Sequence, residues 1–208
     1  MKTPTFLSSI TAAVLFTTAA HSLPTTEISS PVPSGYAIVP LTWEVETTPG
    51  GPKVTLSGTV EEVHAELLKI NPNWDAEFPA PAANATETGT NLHKRDWSVC
   101  GGHTPAHDRN AIWAGADYLR GLSGQAQRGP GPRSCGRVSC SWSSAIWYCN
   151  DNSYTKYMPW FHIANAAEVL IHECSYFLNE GLWFAGWVTA GERWHDDGWF
   201  AIVAQDSC

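Results

Sequence analysis

Hydrophobic and polar residues alternate in two short stretches near the front of the chain, and helical spacing follows them. Residues 41–45 and 54–60 alternate as strands do, and a Pro-Gly-Gly-Pro turn separates them. From Thr59 onward the apolar residues recur at helical spacing, and Glu62 stands three residues after Thr59 as in a capping box. These patterns predict a β-β-α unit over about residues 36–78.

Two further helices are predicted in the rear of the chain. Thr104-Pro105 has the composition of a helix start, and the apolar residues after it keep helical spacing to Leu122. The second helix has the clearest pattern, and Gly181 stands where a C-cap is expected. Its apolar face consists of Ile163, Ala167, Leu170, Ile171, Cys174, Phe177 and Leu178.

Four strands are predicted around these helices. Residues 137–142 and 145–149 alternate on either side of a serine pair, which indicates a hairpin. Residues 182–188 and 199–204 predict the other two strands, and residues 123–136 and 189–198 read as loops. The predicted fold is therefore α+β, in the order α-β-β-α-β-β. It has an antiparallel four-stranded sheet with both helices on one face.

The first residues are typical of a secretory signal peptide. Lys2 is followed by an uncharged apolar run that ends in small residues at Ala19-Ala20. The run is shorter than the ~20 residues that a membrane-spanning helix needs. We expect residues 1–20 to be removed and the protein to be secreted and extracellular.

The dibasic pair Lys94-Arg95 divides the chain into unlike halves. It ends a Pro-, Ala- and Thr-rich linker over residues 79–95, which holds the glycosylation sequon at Asn84. A pair of basic residues in such a linker is a typical processing site. We therefore expect residues 21–95 to be a propeptide and residues 96–208 to be a more active mature domain.

Every cysteine lies after that pair. An even number of cysteines in a secreted domain predicts three disulfides, and the sequence leaves all 15 pairings open. Zinc ligation is less favoured because no Cys-x-x-Cys is present. The six are Cys100, Cys135, Cys140, Cys149, Cys174 and Cys208.

The charge of the chain argues against some partners. The net charge is −8, and the only lysine after residue 95 is Lys156. A nucleic-acid partner is not expected, because affinity for phosphate backbones comes mainly from lysine and arginine. No basic run suggests attraction to a membrane surface.

The candidate catalytic residues are scattered. His103 and His107 have a zinc-compatible spacing, but Thr104-Pro105 between them favours surface or capping roles, and we expect no metal or cofactor. A small hydrolase stays an alternative, and solvated helix-edge and turn positions are the other interpretation. Its candidate groups are His172, Glu173, Asp151, Asp196 and Asp197.

Tryptophan is the most unusual feature of the rear part, which holds nine of the chain's eleven. Most should be core, since tryptophan buries a large area. Both faces of residues 182–188 nevertheless carry large side chains. When helices cover one face of a sheet, the other face is normally exposed to solvent. We therefore predict a binding face that includes Trp183, Trp187 and Trp194.

Two stretches resemble secreted proteins of ascomycete fungi. Residues 134–142 with 146–151 are similar to a hairpin of uncharacterised fungal secreted proteins. Residues 163–203 resemble the necrosis-inducing effector family, whose architecture is similar to that of fungal killer toxins, with Gly186 and Trp199 at its late Gly and Trp. The resemblance implies a small cysteine-rich effector, and it carries over no catalytic residue.

Together these features predict a secreted fungal effector or toxin-like virulence protein. It would act on host or competitor cells through binding rather than catalysis, with a protein or a cell-wall glycan as partner. A carbohydrate-binding module that uses the tryptophan-rich face is the first alternative, and the small hydrolase is the second.

Overall fold

Four helices and twelve strands form along the described residues of the computed structural model, which are 30–79, 96–122, 125–128 and 131–208. The predicted signal peptide, Asn84 and Lys94-Arg95 lie outside these ranges. The helices are α1 (Val60–Ile70), α2 (Trp74–Glu77), α3 (Arg109–Gly121) and α4 (Trp160–Cys174). The strands are β1 (Ala37–Ile38), β2 (Thr42–Glu46), β3 (Lys53–Ser57), β4 (Trp97–Cys100), β5 (Gln125–Arg128), β6 (Ser134–Ser141), β7 (Ser144–Asn150), β8 (Lys156–Pro159), β9 (Ser175–Asn179), β10 (Ala185–Thr189), β11 (Gly191–His195) and β12 (Trp199–Ala204). Within the described ranges, no helix is long and apolar enough to cross a membrane.

The main sheet has six strands in the order β1-β6-β7-β12-β11-β4. Only the contact of β1 with β6 is parallel. The predicted α+β class with mainly antiparallel pairing is confirmed. The prediction of a four-stranded sheet is wrong, since the sheet has six strands: β1, β4 and β11 belong to it, and the predicted strand at residues 182–188 does not.

Strand β11 lies in a stretch that we predicted as a loop, residues 189–198. Its polar side chains have partners on neighbouring segments, which allows them to sit in the sheet. Glu192 contacts the His103 ring at 2.9 Å, and Arg193 donates to the Ser98 hydroxyl at 3.1 Å. A pattern of apolar positions does not reveal a strand whose polar residues are matched by distant partners.

The predicted strand at residues 182–188 belongs to a different sheet. Helix α4 ends at Cys174 instead of continuing to Leu178, and β9 begins at the next residue. Strand β10 therefore pairs with β9 in a separate two-stranded sheet. Gly181, predicted as a helix cap, has a φ of +70° in the turn of this hairpin.

Helix α3 begins later than predicted. Its N-cap is Asp108, whose carboxylate accepts hydrogen bonds from the backbone of Asn110 and Ala111. The predicted start at Thr104-Pro105 is wrong because that stretch is bonded to the sheets. The Thr104 carbonyl accepts from Gln205 N, and Ala106 forms a bridge with Thr189.

The predicted loop at residues 123–136 contains strand β5 and the beginning of β6. Strand β5 joins a third sheet, in the order β3-β2-β5-β8. Its residues are mostly polar, so they give no strand pattern. The pairing with β2 and β8 is made by the backbone.

The core lies between one face of the main sheet and the helices. Buried side chains of α3 and α4 pack against alternate residues of β7 and β12, so both helices cover the same face. The sheet contributes Ile146, Tyr148, Trp199, Ala201 and Val203, and the helices contribute Ile112, Ala116, Leu119, Ile163, Ala167 and Leu170.

Residues 30–79, called the front segment here, share this core with the residues from 96 onward, called the rear part. Trp43 stacks on Trp160 with ring centroids 3.9 Å apart. The Glu61 carboxylate accepts from Ser139 Oγ and from the backbone N–H of Cys140. On the opposite face of the main sheet, Tyr36 packs edge-on against Phe200.

The predicted front elements occur as β2, β3 and α1, and Thr59 with Glu62 forms the capping box. The front segment is joined to the rear part through the pairing of β2 with β5 and of β1 with β6. Whether residues 21–95 are a propeptide stays a prediction.

All six cysteines are paired, which confirms the expected three disulfides. Cys100–Cys174 ties the edge strand β4 to the end of α4. Cys135–Cys149 links the paired strands β6 and β7. Cys140–Cys208 fastens the last residue to β6.

Candidate functional site

The most exposed apolar surface described lies on the hairpin of β9 and β10, residues 175–189, called the aromatic hairpin here. Leu182 at its tip is fully exposed, and Trp183 is 91% exposed. Phe177 and Trp187 face each other across the two strands and are 56% and 49% exposed. Tyr176 adds a further exposed ring.

The local sequence explains why this hairpin forms. Gly181 adopts the left-handed backbone that favours glycine, and its N–H donates to the Asn179 side chain at 3.0 Å. The Glu180 N–H donates to the Phe184 carbonyl at 2.7 Å, which closes the turn. The apolar tip residues are thus held in a defined loop.

The base of the aromatic hairpin is buried. Val188 and Thr189 are completely buried, and the Ser175 and Thr189 hydroxyls lie 2.7 Å apart. Cys174, one residue before β9, is bonded to Cys100. An anchored base therefore carries an exposed tip.

One side of the hairpin rests on the start of α3. The Arg109 guanidinium lies 5.2 Å from the centre of the Trp187 ring, a cation–π contact. The His107 ring stacks on Phe184 at 4.8 Å. The surface therefore combines aromatic rings with a positive charge at its edge.

The three tryptophans of the predicted binding face lie in two places. Trp183 and Trp187 are on the aromatic hairpin. Trp194 is on β11, where it stacks on Phe200 at 3.9 Å and donates to Glu192. Sequence reasoning missed Phe177 as a surface residue because helical spacing placed it on the buried face of the preceding helix.

Trp142, another exposed tryptophan, lies in the turn between β6 and β7. Trp142 is 81% exposed, and both Trp142 and Ser143 have a positive φ. This is the two-residue turn that hairpins prefer. Trp142 lies outside the aromatic hairpin and offers a matched control for it.

The zinc candidates have other partners. His103 contacts Glu192, and His107 stacks on Phe184. Within the described ranges, no group of three or more His, Cys, Asp or Glu side chains is arranged to hold a metal ion.

The hydrolase candidates also have separate partners. The His172 ring lies edge-on to Trp113, Glu173 lies 3.7 Å from Arg193, and Asp151 accepts from Tyr36. Asp197 pairs with Lys156 at 2.6 Å, and Asp196 is exposed. In the described part of the chain, no hydrogen bond joins any two of these candidates.

One half-buried polar pair was not visible in the sequence. His195 Nδ1 lies 2.8 Å from Asp96 Oδ2, and the His195 ring stacks on Trp199 at 3.8 Å. Burial lowers the pKa of His195, and the Asp96 carboxylate opposes that shift. The pair fastens the start of β4 to the end of β11.

Family models, curated proteins and solved structures were compared with this chain, and none of them matches it.

Proposed function

We propose that this is a secreted protein that acts by binding, as an effector or toxin-like protein directed at host or competitor cells. The aromatic hairpin is the observation that carries this proposal. Leu182 and Trp183 present apolar surface to water on an anchored base. Exposed apolar patches of this kind mark interaction sites.

A protein surface is the partner that this chemistry favours. Tryptophan, tyrosine and arginine dominate the binding energy of protein interfaces, and Trp183, Trp187, Tyr176 and Arg109 supply them here. The rings of Phe177 and Trp187 meet at 80°, so they do not form one flat platform for a sugar chain. A cell-wall glycan is therefore the second candidate.

Secretion is supported by the disulfides. Three bonded pairs persist in an oxidising compartment and are rare in a reducing one. The signal-peptide pattern of residues 1–20 agrees with export.

Processing after Arg95 is part of the proposal, and it takes a specific form. Because the front segment contributes strands and buried side chains to the rear part, it stays bound after the cut. The secreted form is then a two-chain protein held together without a covalent bond between the pieces.

The test applies the purified protein to plant leaf tissue and to competing fungal cells. Wild type is compared with Leu182→Ala/Trp183→Ala and with the matched control Trp142→Ala. We expect cell death or growth inhibition from wild type and the control, and its loss in the hairpin variant. Equal activity of all three proteins, or no activity of any of them, would contradict the proposal.

A pull-down on chitin and glucan separates the two candidate partners. Retention of wild type that is lost on Trp187→Ala would favour the glycan. Flow-through of both proteins, together with hairpin-dependent activity on cells, would favour a protein partner.

A further inference from the structure

A cavity of about 570 Å³ lies between the front segment and the rear part. Small-molecule sites usually measure roughly 300–1,000 Å³, so this one has room for a small organic ligand. It lies apart from the aromatic hairpin, and neither the proposed function nor the hydrolase alternative uses it.

Aromatic rings form much of its wall. The Trp43–Trp160 stack lines it, and Trp74 stacks on Phe78 with centroids 5.1 Å apart. The Tyr118 ring completes the wall from the rear part. Aromatic faces carry a negative quadrupole that attracts cations.

The phenol of Tyr118 stays protonated. Burial raises its pKa, and the carboxylates of Asp75 and Glu61 raise it further. The cavity wall therefore carries a neutral phenol at Tyr118, which adds no negative charge to the cavity.

Charged residues at the cavity are mostly acidic. Glu44, Glu46, Asp75 and Asp117 line it, and Lys53 is the single lysine or arginine among the described lining residues. This excess of negative charge favours a positively charged ligand and disfavours an anion.

Two of the four carboxylates have basic neighbours that can partly offset their negative charge. Asp75 lies 2.7 Å from the His64 ring. Asp117 lies 3.8 Å from Arg120, but that guanidinium makes a closer contact with Glu168. Glu44 alternates with Trp43 and Val45 along β2, so its side chain points to the other face of that strand.

We propose that this cavity binds a small organic cation, an ammonium group that carries an apolar or aromatic body. The apolar body packs between the tryptophan and phenylalanine rings, and the ammonium group faces Asp75 and Asp117. Because the ligand contacts the front segment and the rear part together, it also stabilises their association.

The test uses benzyltriethylammonium as the probe and isothermal titration calorimetry on the full-length protein as the measurement. Benzenesulfonate, an anion with a similar ring, is the ligand control at the same ionic strength. We expect one cation to bind per protein and the anion not to bind.

Two rim carboxylates are then neutralised in the variant Asp75→Asn/Asp117→Asn, which changes only exposed side chains. We expect the dissociation constant for the cation to rise by roughly threefold to tenfold, as for two partly screened charges. Asp196→Asn, an exposed carboxylate outside the cavity, is the control and should leave binding unchanged.

Phe78→Leu tests the wall, since it keeps apolar volume but removes a ring. We expect weaker cation binding with the folded state retained in the circular dichroism spectrum. No binding of the cation, equal binding of the anion, or unchanged binding in both the charge and ring variants would overturn the proposal.

Discussion

Trp43 links the front segment to the rear part through one side chain. Its ring stacks on Trp160, its indole N–H donates to the Gly58 carbonyl at 2.9 Å, and it is almost fully buried. The contact depends on a residue that lies before Lys94-Arg95 and one that lies after it.

Replacing Trp43 with alanine should destabilise the whole molecule. We expect the free energy of unfolding to fall by about 3–5 kcal/mol, as for other buried tryptophans, in a urea titration followed by circular dichroism. The exposed Trp142→Ala should change it by less than about 0.5 kcal/mol. A small effect of Trp43→Ala would show that the two parts fold separately.

His195 predicts a dependence of stability on pH. Burial lowers its pKa, so the unfolded chain takes up the proton at a higher pH than the folded chain does. The free energy of unfolding should therefore fall as the pH drops below the ordinary histidine value of about 6.5. It should keep falling until the folded form is protonated as well.

The variant His195→Asn removes this titrating group and keeps a donor near Asp96. Urea titrations at several values between pH 8 and pH 5 should show a smaller loss of stability on acidification than in wild type. Parallel curves for the two proteins would contradict the role of His195.

Single residues were predicted with uneven success. The sequence indicates that six cysteines form three bonds, but their partners depend on which strands become neighbours. The exposure of Trp183 and Trp187 agrees with the crowding of large residues on both faces of one strand. The Asp96–His195 pair joins positions far apart in the sequence, so no local pattern indicates it.

At the scale of elements, apolar spacing located helices better than strands. Helix α4 was found, but its end was predicted too late because Phe177 and Leu178 continue the helical spacing by chance. Strand β11 was missed because its polar residues are paired across the sheet. Both errors concern the aromatic hairpin. Because α4 ends early, residues 175–179 form β9. Because β11 occupies the position in the main sheet, β10 pairs with β9 instead.

The disulfides should contribute according to the loops that they close. Cys100–Cys174 spans 74 residues, and Cys135–Cys149 spans 14 residues between strands that are already paired. Loop-entropy arguments give about 4 kcal/mol for the first and about 3 kcal/mol for the second. Urea titrations of Cys100→Ala/Cys174→Ala and of Cys135→Ala/Cys149→Ala measure the loss in the free energy of unfolding for each bond. A larger loss in the second variant would contradict this prediction.

At the scale of the whole molecule, the front segment is part of the core. Six of its apolar side chains are buried, and each contributes about 1.5–3 kcal/mol on burial. Removing the front segment would therefore expose a large part of the apolar core. The six are Leu41, Trp43, Val60, Val63, Leu67 and Trp74.

After a cut behind Arg95, the two pieces should therefore stay associated as one complex. In native gel filtration the two pieces should elute together, and denaturant alone should separate them because the front segment has no cysteine. Residues 96–208 produced without the front segment should unfold at lower urea. Separate elution of a stable, folded rear part would contradict this arrangement.

We propose that the aromatic hairpin holds a partner on the surface of target cells. The most direct measurement is the saturable binding of fluorescently labelled protein to those cells, compared for wild type, Leu182→Ala/Trp183→Ala and Trp142→Ala. We predict saturable binding of wild type and of Trp142→Ala, and a loss of at least tenfold in the hairpin variant, since central tryptophans contribute about 2 kcal/mol or more at protein interfaces. Binding of the hairpin variant equal to that of wild type would contradict the claim.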